Sequence, residues 1–529
     1  MRIPIVITAA VGALVLTPTA FAAQAPQYVL PVNDAATISV LATSGDIING
    51  KILRGTPDGM GVLKNSDGTI TILSNHEISI SDKTAQLAKA TTGTWGSSIS
   101  KLTYNPSTGT ITALENLISS IQYFDYNTKT YTTDYTKSLP AGYPALDSFG
   151  SENFSNGLNR FCSGNLMQAG TLAAKDGKKV IGYSGAVYLT AEEGSDNSRV
   201  FAFDMNGNGV QLPKMGLGGY ENALTNPASG KTTLVMLNED GAAVSSQLNM
   251  YVGTKQEKGA NFAEKAGLTN GQLYSVSVKN ARTDNKFRAN YKIGEKVEVS
   301  FNPLNTDPSY ADVQAQAQGA GTTFSRVEDG EWDPKNPNVY YFLTTESNKD
   351  AAATAPNPAE PTTSRDGGAL WRLTFKDVKN PLKGASIEML LNGTEAPYLA
   401  KPDNLAIDES GHILIQEDPG NNAHVSRVIA YRISDGKLGV VAQFDKTYFA
   451  ADATSLITID EESSGMVNAN AVLRKAGDTA SYFFFNAQVH TTTSKARLES
   501  TPVDALDQAA IEGGQYYLLK ISDWNKIFS

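Results

Sequence analysis

Gly185-Ala186-Val187-Tyr188-Leu189-Thr190-Ala191-Glu192-Glu193 begins at a turn residue, runs without proline through β-branched, aromatic and small side chains, and stops on two carboxylates. That pattern reads as a buried strand. The same unit recurs on both sides of it. Asp67-Gly68 leads into 69–77, ending Asn75-His76-Glu77; Gly230 leads into 232–240, ending Glu239-Asp240; Asn338 leads into 339–346. Gly411 leads into 413–418, ending Glu417-Asp418, and Ser481 leads into 482–490, ending in His490. Residues 199–203, 248–252, 369–373 and 427–431 read as hairpin partners for four of these units. Irregularly spaced copies of one supersecondary unit, separated by insertions, are the pattern of a divergent β-propeller. The expected fold is therefore all-β, a single propeller domain over 23–529 with six blades and short helical insertions. The competing arrangement is a pair of β-sandwiches with incidental acidic loops.

The longest insertions are 81–91, which is helix-like, 123–159, which is aromatic and polar, and 348–365, an Ala-, Pro- and Thr-rich surface loop. A short helix is expected at 504–511 before a closing strand at 515–521. A propeller commonly completes its first blade with a strand from the opposite terminus, so a first blade split between the two ends is expected.

Residues 1–22 carry one basic residue, Arg2, then an apolar run from Ile5 to Leu16, then Ala20-Phe21-Ala22. This is the pattern of a secretory signal peptide, too short to be a membrane anchor. It lacks a twin-arginine pair and predicts a periplasmic or secreted product of the general secretory route. No later stretch reaches the roughly 18 apolar residues of a membrane span. Against 54 acidic residues stand 44 basic ones, a net charge of -10 with no basic tract. That balance argues against a nucleic-acid partner; a monomer acting on a small molecule is expected.

In a propeller, equivalent strand ends meet at one mouth of the central channel. The strand ends here carry Glu77, Glu192, Glu193, Glu239, Asp240, Glu417 and Asp418, while Glu328 lies in a further acidic cluster and Glu221 and Asp403 just precede strands. Converging carboxylates repel unless cations or protons neutralise them. Calcium, which takes about six to eight oxygen ligands, suits such a set. For any one pair a solvated turn competes; the recurrence favours a shared metal site. Cys162 is the single cysteine, so it has no disulfide partner within the chain. It is a buried apolar residue, an intermolecular bridge or a ligand. A thiolate beside carboxylates suits a transition metal better than calcium alone. Arg326 precedes Glu328 by two, so both lie on one face of an extended segment. A guanidinium beside metal-bound carboxylates is a natural phosphate clamp, although a surface ion pair is the simpler reading. The chain has no G-x-S-x-G elbow, H-E-x-x-H helix, phosphate loop or dinucleotide fingerprint. Its four histidines (His76, His412, His424 and His490) are too scattered for a conventional zinc hydrolase.

Taken in order, these landmarks resemble the PhoX-type alkaline phosphatases, a secreted bacterial six-bladed propeller family. They are Asn75-His76-Glu77, Cys162-Ser163-Gly164, Glu192-Glu193, Tyr220-Glu221, Asn238-Glu239-Asp240 and Arg326-Val327-Glu328 with Trp332-Asp333-Pro334. Lys401-Pro402-Asp403-Asn404, Gln416-Glu417-Asp418, Ala487-Gln488-Val489-His490 and Glu512-Gly513-Gly514-Gln515 follow. The resemblance implies hydrolysis of phosphate monoesters with ferric and calcium ions clustered at the mouth. It implies that Cys162 is an iron ligand, with Glu77, Glu193, Glu221 or Glu239, and Glu328 among the other ligands. It also implies that Arg326 binds phosphoryl oxygens. The corresponding expectation is in-line attack on phosphorus by a metal-bound oxygen species. The chain departs from the family pattern in its long Cys162-to-Glu193 spacing. It also lacks the lysine expected shortly before the cysteine, where Arg160 is the candidate replacement. Two other functions fit the sequence: a calcium-dependent propeller lactonase or esterase in which Cys162 plays no part, and a non-catalytic exported binding propeller.

Overall fold

The computed structural model describes residues 25–79, 96–140, 157–194, 197–241, 245–306, 313–345, 367–420 and 424–529. The expected signal peptide, the insertions 81–91 and 348–365, and residues 141–156 lie outside the described residues.

All six turn-then-strand units form strands: Ile70–His76, Val187–Glu192, Thr232–Glu239, Val339–Thr344, His412–Glu417 and Ser481–Thr492. Each is the second strand of an antiparallel meander. Its inner neighbour is, in order, Pro57–Lys64, Phe161–Met167, Tyr220–Thr225, Val327–Trp332, Pro402–Ile407 or Glu461–Asn468. Its outer neighbour is Ser98–Asn105, Val200–Asp204, Ser246–Thr254, Ala369–Phe375, Arg427–Arg432 or Glu512–Ile521. The four predicted hairpin partners fall in these outer strands. Each inner strand packs against the inner strand of the next meander, and Glu461–Asn468 returns to contact Pro57–Lys64. The sheets therefore stand radially around a central channel, as in a propeller.

The second strands read as near-continuous apolar runs because neighbouring sheets cover both of their faces. Phe324, Phe342 and Trp371 fill one such interface, and Tyr28, Phe483, Phe485 and Tyr517 another. Each buried ring of this kind contributes roughly 1.5–3 kcal/mol relative to exposure.

Closure differs in detail from the expectation. The split sheet is the one built from the C-terminal strands, with N-terminal Ala36–Thr43 added outside Glu512–Ile521. Val29–Pro31 extends the preceding sheet by pairing with Leu438–Phe444. The outermost C-terminal strand would otherwise present an unpaired edge, and the N-terminal segment covers it. The expected helix near the C-terminus is present at Asp504–Ala510. No described helix is long and apolar enough to cross a membrane.

Candidate metal centre

The mouth of the channel is built by one local geometry repeated around the ring. The residue after each second strand's last mouth-end pair donates its N–H to the carbonyl of the residue just before the inner strand. These bonds are Glu77 to Thr56, Glu193 to Arg160, Asp240 to Gly219, Thr345 to Arg326 and Asp418 to Lys401, all 2.9 Å, with His490 to Asp460 at 3.1 Å. Four of the acceptors, Thr56, Arg160, Arg326 and Lys401, have left-handed backbones with φ of 43°, 42°, 60° and 45°. That conformation costs an L-residue roughly 1–2 kcal/mol. Directly afterwards the register slips between Pro57 and Met60, Phe161 and Gly164, Tyr220 and Asn222, Val327 and Gly330, and Pro402 and Leu405. Bulges of this kind re-aim side chains.

The consequence is that the second residue of every inner strand joins one cluster: Asp58, Cys162, Glu221, Glu328, Asp403 and Glu462. Glu77, Glu193 and Asp418 join from the second strands. Ligand atoms lie within 4.8 Å of one another in four overlapping groups, Asp58–Glu77–Cys162, Cys162–Glu193–Glu221, Glu221–Glu328–Asp403 and Asp403–Asp418–Glu462. Close approach is required on the inner strands. A Cβ on Gly59 would lie 2.3 Å from the Gly164 nitrogen, so glycine is what lets Asp58 stand beside Cys162.

The structure separates the acidic pairs that the sequence presents together, because neighbouring strand residues point to opposite faces. Glu193, Asp240 and Asp418 face the mouth. Glu192, Glu239 and Glu417, expected as ligands, turn into the sheets and do not join the cluster. Glu192 accepts from Arg199 Nε at 2.8 Å and from the Asn159 N–H at 2.9 Å. Glu239 accepts from the Gln247 N–H at 2.9 Å, and Glu417 from Arg427 Nε and the Ala400 N–H, both at 2.8 Å. His76 bridges the Gly55 carbonyl and Ser100 Oγ, both at 2.7 Å, and burial lowers its pKa to about 3. It is a neutral core histidine.

Asp240 lies outside the four groups, held by Arg326, whose Nε donates to Oδ1 at 2.9 Å and whose Nη2 also approaches Glu328 at 3.4 Å. Arg160 bonds Glu193 through Nη2 at 2.7 Å and the Glu193 carbonyl through Nε at 2.9 Å, and pairs with Glu77. Both expected phosphate-binding arginines thus stand at the mouth. His490 Nδ1 lies 2.9 Å from Glu512 and its Nε2 3.7 Å from Glu462.

Burial and mutual repulsion push Asp58, Glu221, Glu328 and Asp403 well above the usual carboxylate range. Burial also raises Glu462 to about 7 and Asp240 to about 8. Burial opposes it, yet Arg160 and the Asp240 hydrogen bond hold Glu193 low. The buried Cys162 thiol is driven up by burial and by Asp58, and it donates to Asp58 Oδ2 at 2.9 Å. Such a set binds protons or cations; it is not stable as a bare ring of charges.

Sequence reasoning missed Asp58 and Glu462. Asp58 had a legible signal, since Pro57-Asp58-Gly59 parallels Pro402-Asp403-Asn404 at the head of an inner strand. Glu462 has only the adjacent pair Glu461-Glu462.

The family profile of alkaline phosphatase PhoX matches residues 199–476. The chain belongs to the PhoX alkaline phosphatase family. The PhoX match takes in Glu221, Arg326, Glu328, Asp403, Asp418 and Glu462; Asp58, Glu77, Arg160, Cys162 and Glu193 precede it. Among solved structures, Pseudomonas fluorescens PhoX in complex with vanadate, a transition state analogue, is similar at 12% identity and a TM-score of 0.60. It covers 95% of this chain and 97% of that one. The PhoX-like fold therefore extends across nearly the whole of both. A luciferin-regenerating enzyme aligns far more loosely, with a TM-score of 0.31 at 10% identity over 88% of this chain and 91% of that one. No curated protein sequence matches the chain.

Proposed function

We propose that the chain is an exported, monomeric, six-bladed phosphomonoesterase whose mouth holds iron and calcium. The observation carrying this reading is the ring itself: six inner strands each contribute their second residue, five carboxylates and one thiol, to one buried cluster. The donor set fits metal. Asp58 Oδ1 and Asp403 Oδ1 are buried without a hydrogen-bond partner among the described residues, an arrangement that is costly unless something else satisfies them. Cys162 with Asp58, Glu77, Glu193 and Glu221 would hold the softer iron, and Glu328, Asp403, Asp418 and Glu462, all oxygen donors, would hold calcium. Bound there, the ions supply positive charge against the phosphoryl oxygens and lower the pKa of water.

The chain's own groups do the rest. Arg326 and Arg160 present planar N–H donors at the mouth, suited to two oxygens of a phosphoryl group at once. Asp240 fixes the Arg326 plane through two donors, and Glu193 does the same for Arg160. This preorganisation lets the guanidiniums meet charge that grows in the transition state without moving. Arg326→Met should reduce kcat/KM for an aryl phosphate by about 100-fold, the usual scale for removing one preorganised donor. Metal content should stay unchanged. Hydrolysis that survives both chelation and Arg326→Met would contradict the reading.

A further inference from the structure

We propose that Lys401 is a third substrate-binding cation, holding a non-bridging oxygen of the phosphate monoester dianion. The proposal rests on the phosphomonoesterase reading above.

Lys401 occupies in its sheet the position that Arg160 and Arg326 occupy in theirs. Each directly precedes an inner strand, and each accepts a 2.9 Å backbone hydrogen bond from the facing second strand. Each also has a left-handed backbone. Lysine pays for that conformation, where glycine would adopt it freely. Strained positions of this kind collect at binding sites. The three cations differ in their commitments. Arg160 is engaged by Glu77 and Glu193, and Arg326 by Asp240 and Glu328. The Lys401 ammonium makes no hydrogen bond or ion pair within 4 Å among the described residues, although its charge acts on the nearby Asp418 carboxylate.

Its Nζ nevertheless stands at the mouth. A Cβ placed on Gly420 would lie 3.7 Å from Lys401 Nζ, 3.9 Å from Asp418 Oδ1 and 3.4 Å from Asp460 Oδ1. Gly420, with φ of 39°, places no side chain there. An anion entering a ring of carboxylates gains most from the cation whose donors are not already used. An ammonium has three such donors on a flexible stem and acts as a point charge. A third cation favours a monoester dianion over a diester monoanion, so Lys401 sets substrate class as well as affinity.

The test compares metal-loaded wild type, Lys401→Met and Lys401→Arg, using inorganic phosphate in calorimetry and an aryl phosphate in turnover. Losing one charge-assisted hydrogen bond should weaken phosphate binding and raise KM by about 10- to 100-fold. Metal content should match wild type, the loss for an aryl phosphodiester should be smaller, and Lys401→Arg should recover part of the binding. Phosphate binding and KM within about twofold of wild type would overturn the proposal. So would a loss of metal in Lys401→Met that accounts for the whole effect, since the lysine would then act through Asp418. If metal-loaded wild type neither binds phosphate nor hydrolyses the ester, the parent reading fails instead.

Discussion

Asp58, Glu221, Glu328 and Asp403 each bind a proton more tightly in the folded chain than in the unfolded one. Glu462, near 7, and Asp240, near 8, behave alike. A group whose folded pKa is raised stabilises the fold below its unfolded pKa and loses that contribution as pH rises through the folded value. Metal-free protein should therefore become less stable as pH rises from about 6 to about 9. Bound cations take the place of the protons, so metal-loaded protein should show a much flatter dependence. Thermal melts of chelated and loaded protein across that range check this; a metal-free form that gains stability with rising pH would contradict it. At this scale the sequence was partly legible. Cys162 stands out as the single cysteine and Glu328 by its spacing from Arg326, whereas Glu193 was legible only together with Glu192, and Glu462 not at all, since nothing local marks which of Glu461 and Glu462 faces the channel.

The strand is the scale at which the acidic pairs resolve. The six second strands were visible as turn-bounded apolar runs because burial on both faces removes polar alternation within them. Which carboxylate of a pair reaches the mouth depends on register, and register is set by the inner strand's bulge rather than by the pair itself. Glu192 and Glu193 therefore make opposite predictions. Arg199 is fully buried against Glu192, so Arg199→Met strands a buried carboxylate and should cost about 3–5 kcal/mol in denaturant unfolding. Glu193→Gln should reduce metal content with far less effect on the metal-free fold. Equal stability losses in both variants would show that the two faces are not separated as described.

Across the whole molecule, closure brings Asp58 and Glu462 together from opposite ends of the chain. Inner strands Pro57–Lys64 and Glu461–Asn468 meet while Ala36–Thr43 seals the outer edge of the closing sheet. That convergence, more than any local motif, makes a ligand set from isolated carboxylates and a lone thiol. A sequence read along its length shows the repeated unit but not where the ring closes, because either terminus could supply the sealing strand. We propose that this ring, with Cys162 in it, is a catalytic metal centre. The most direct measurement is metal content of the purified protein alongside aryl phosphate hydrolysis, for wild type and Cys162→Ala. Iron and calcium are expected in wild type, with iron and activity lost together in Cys162→Ala. Calcium alone in wild type, with activity unchanged by that substitution, would contradict it.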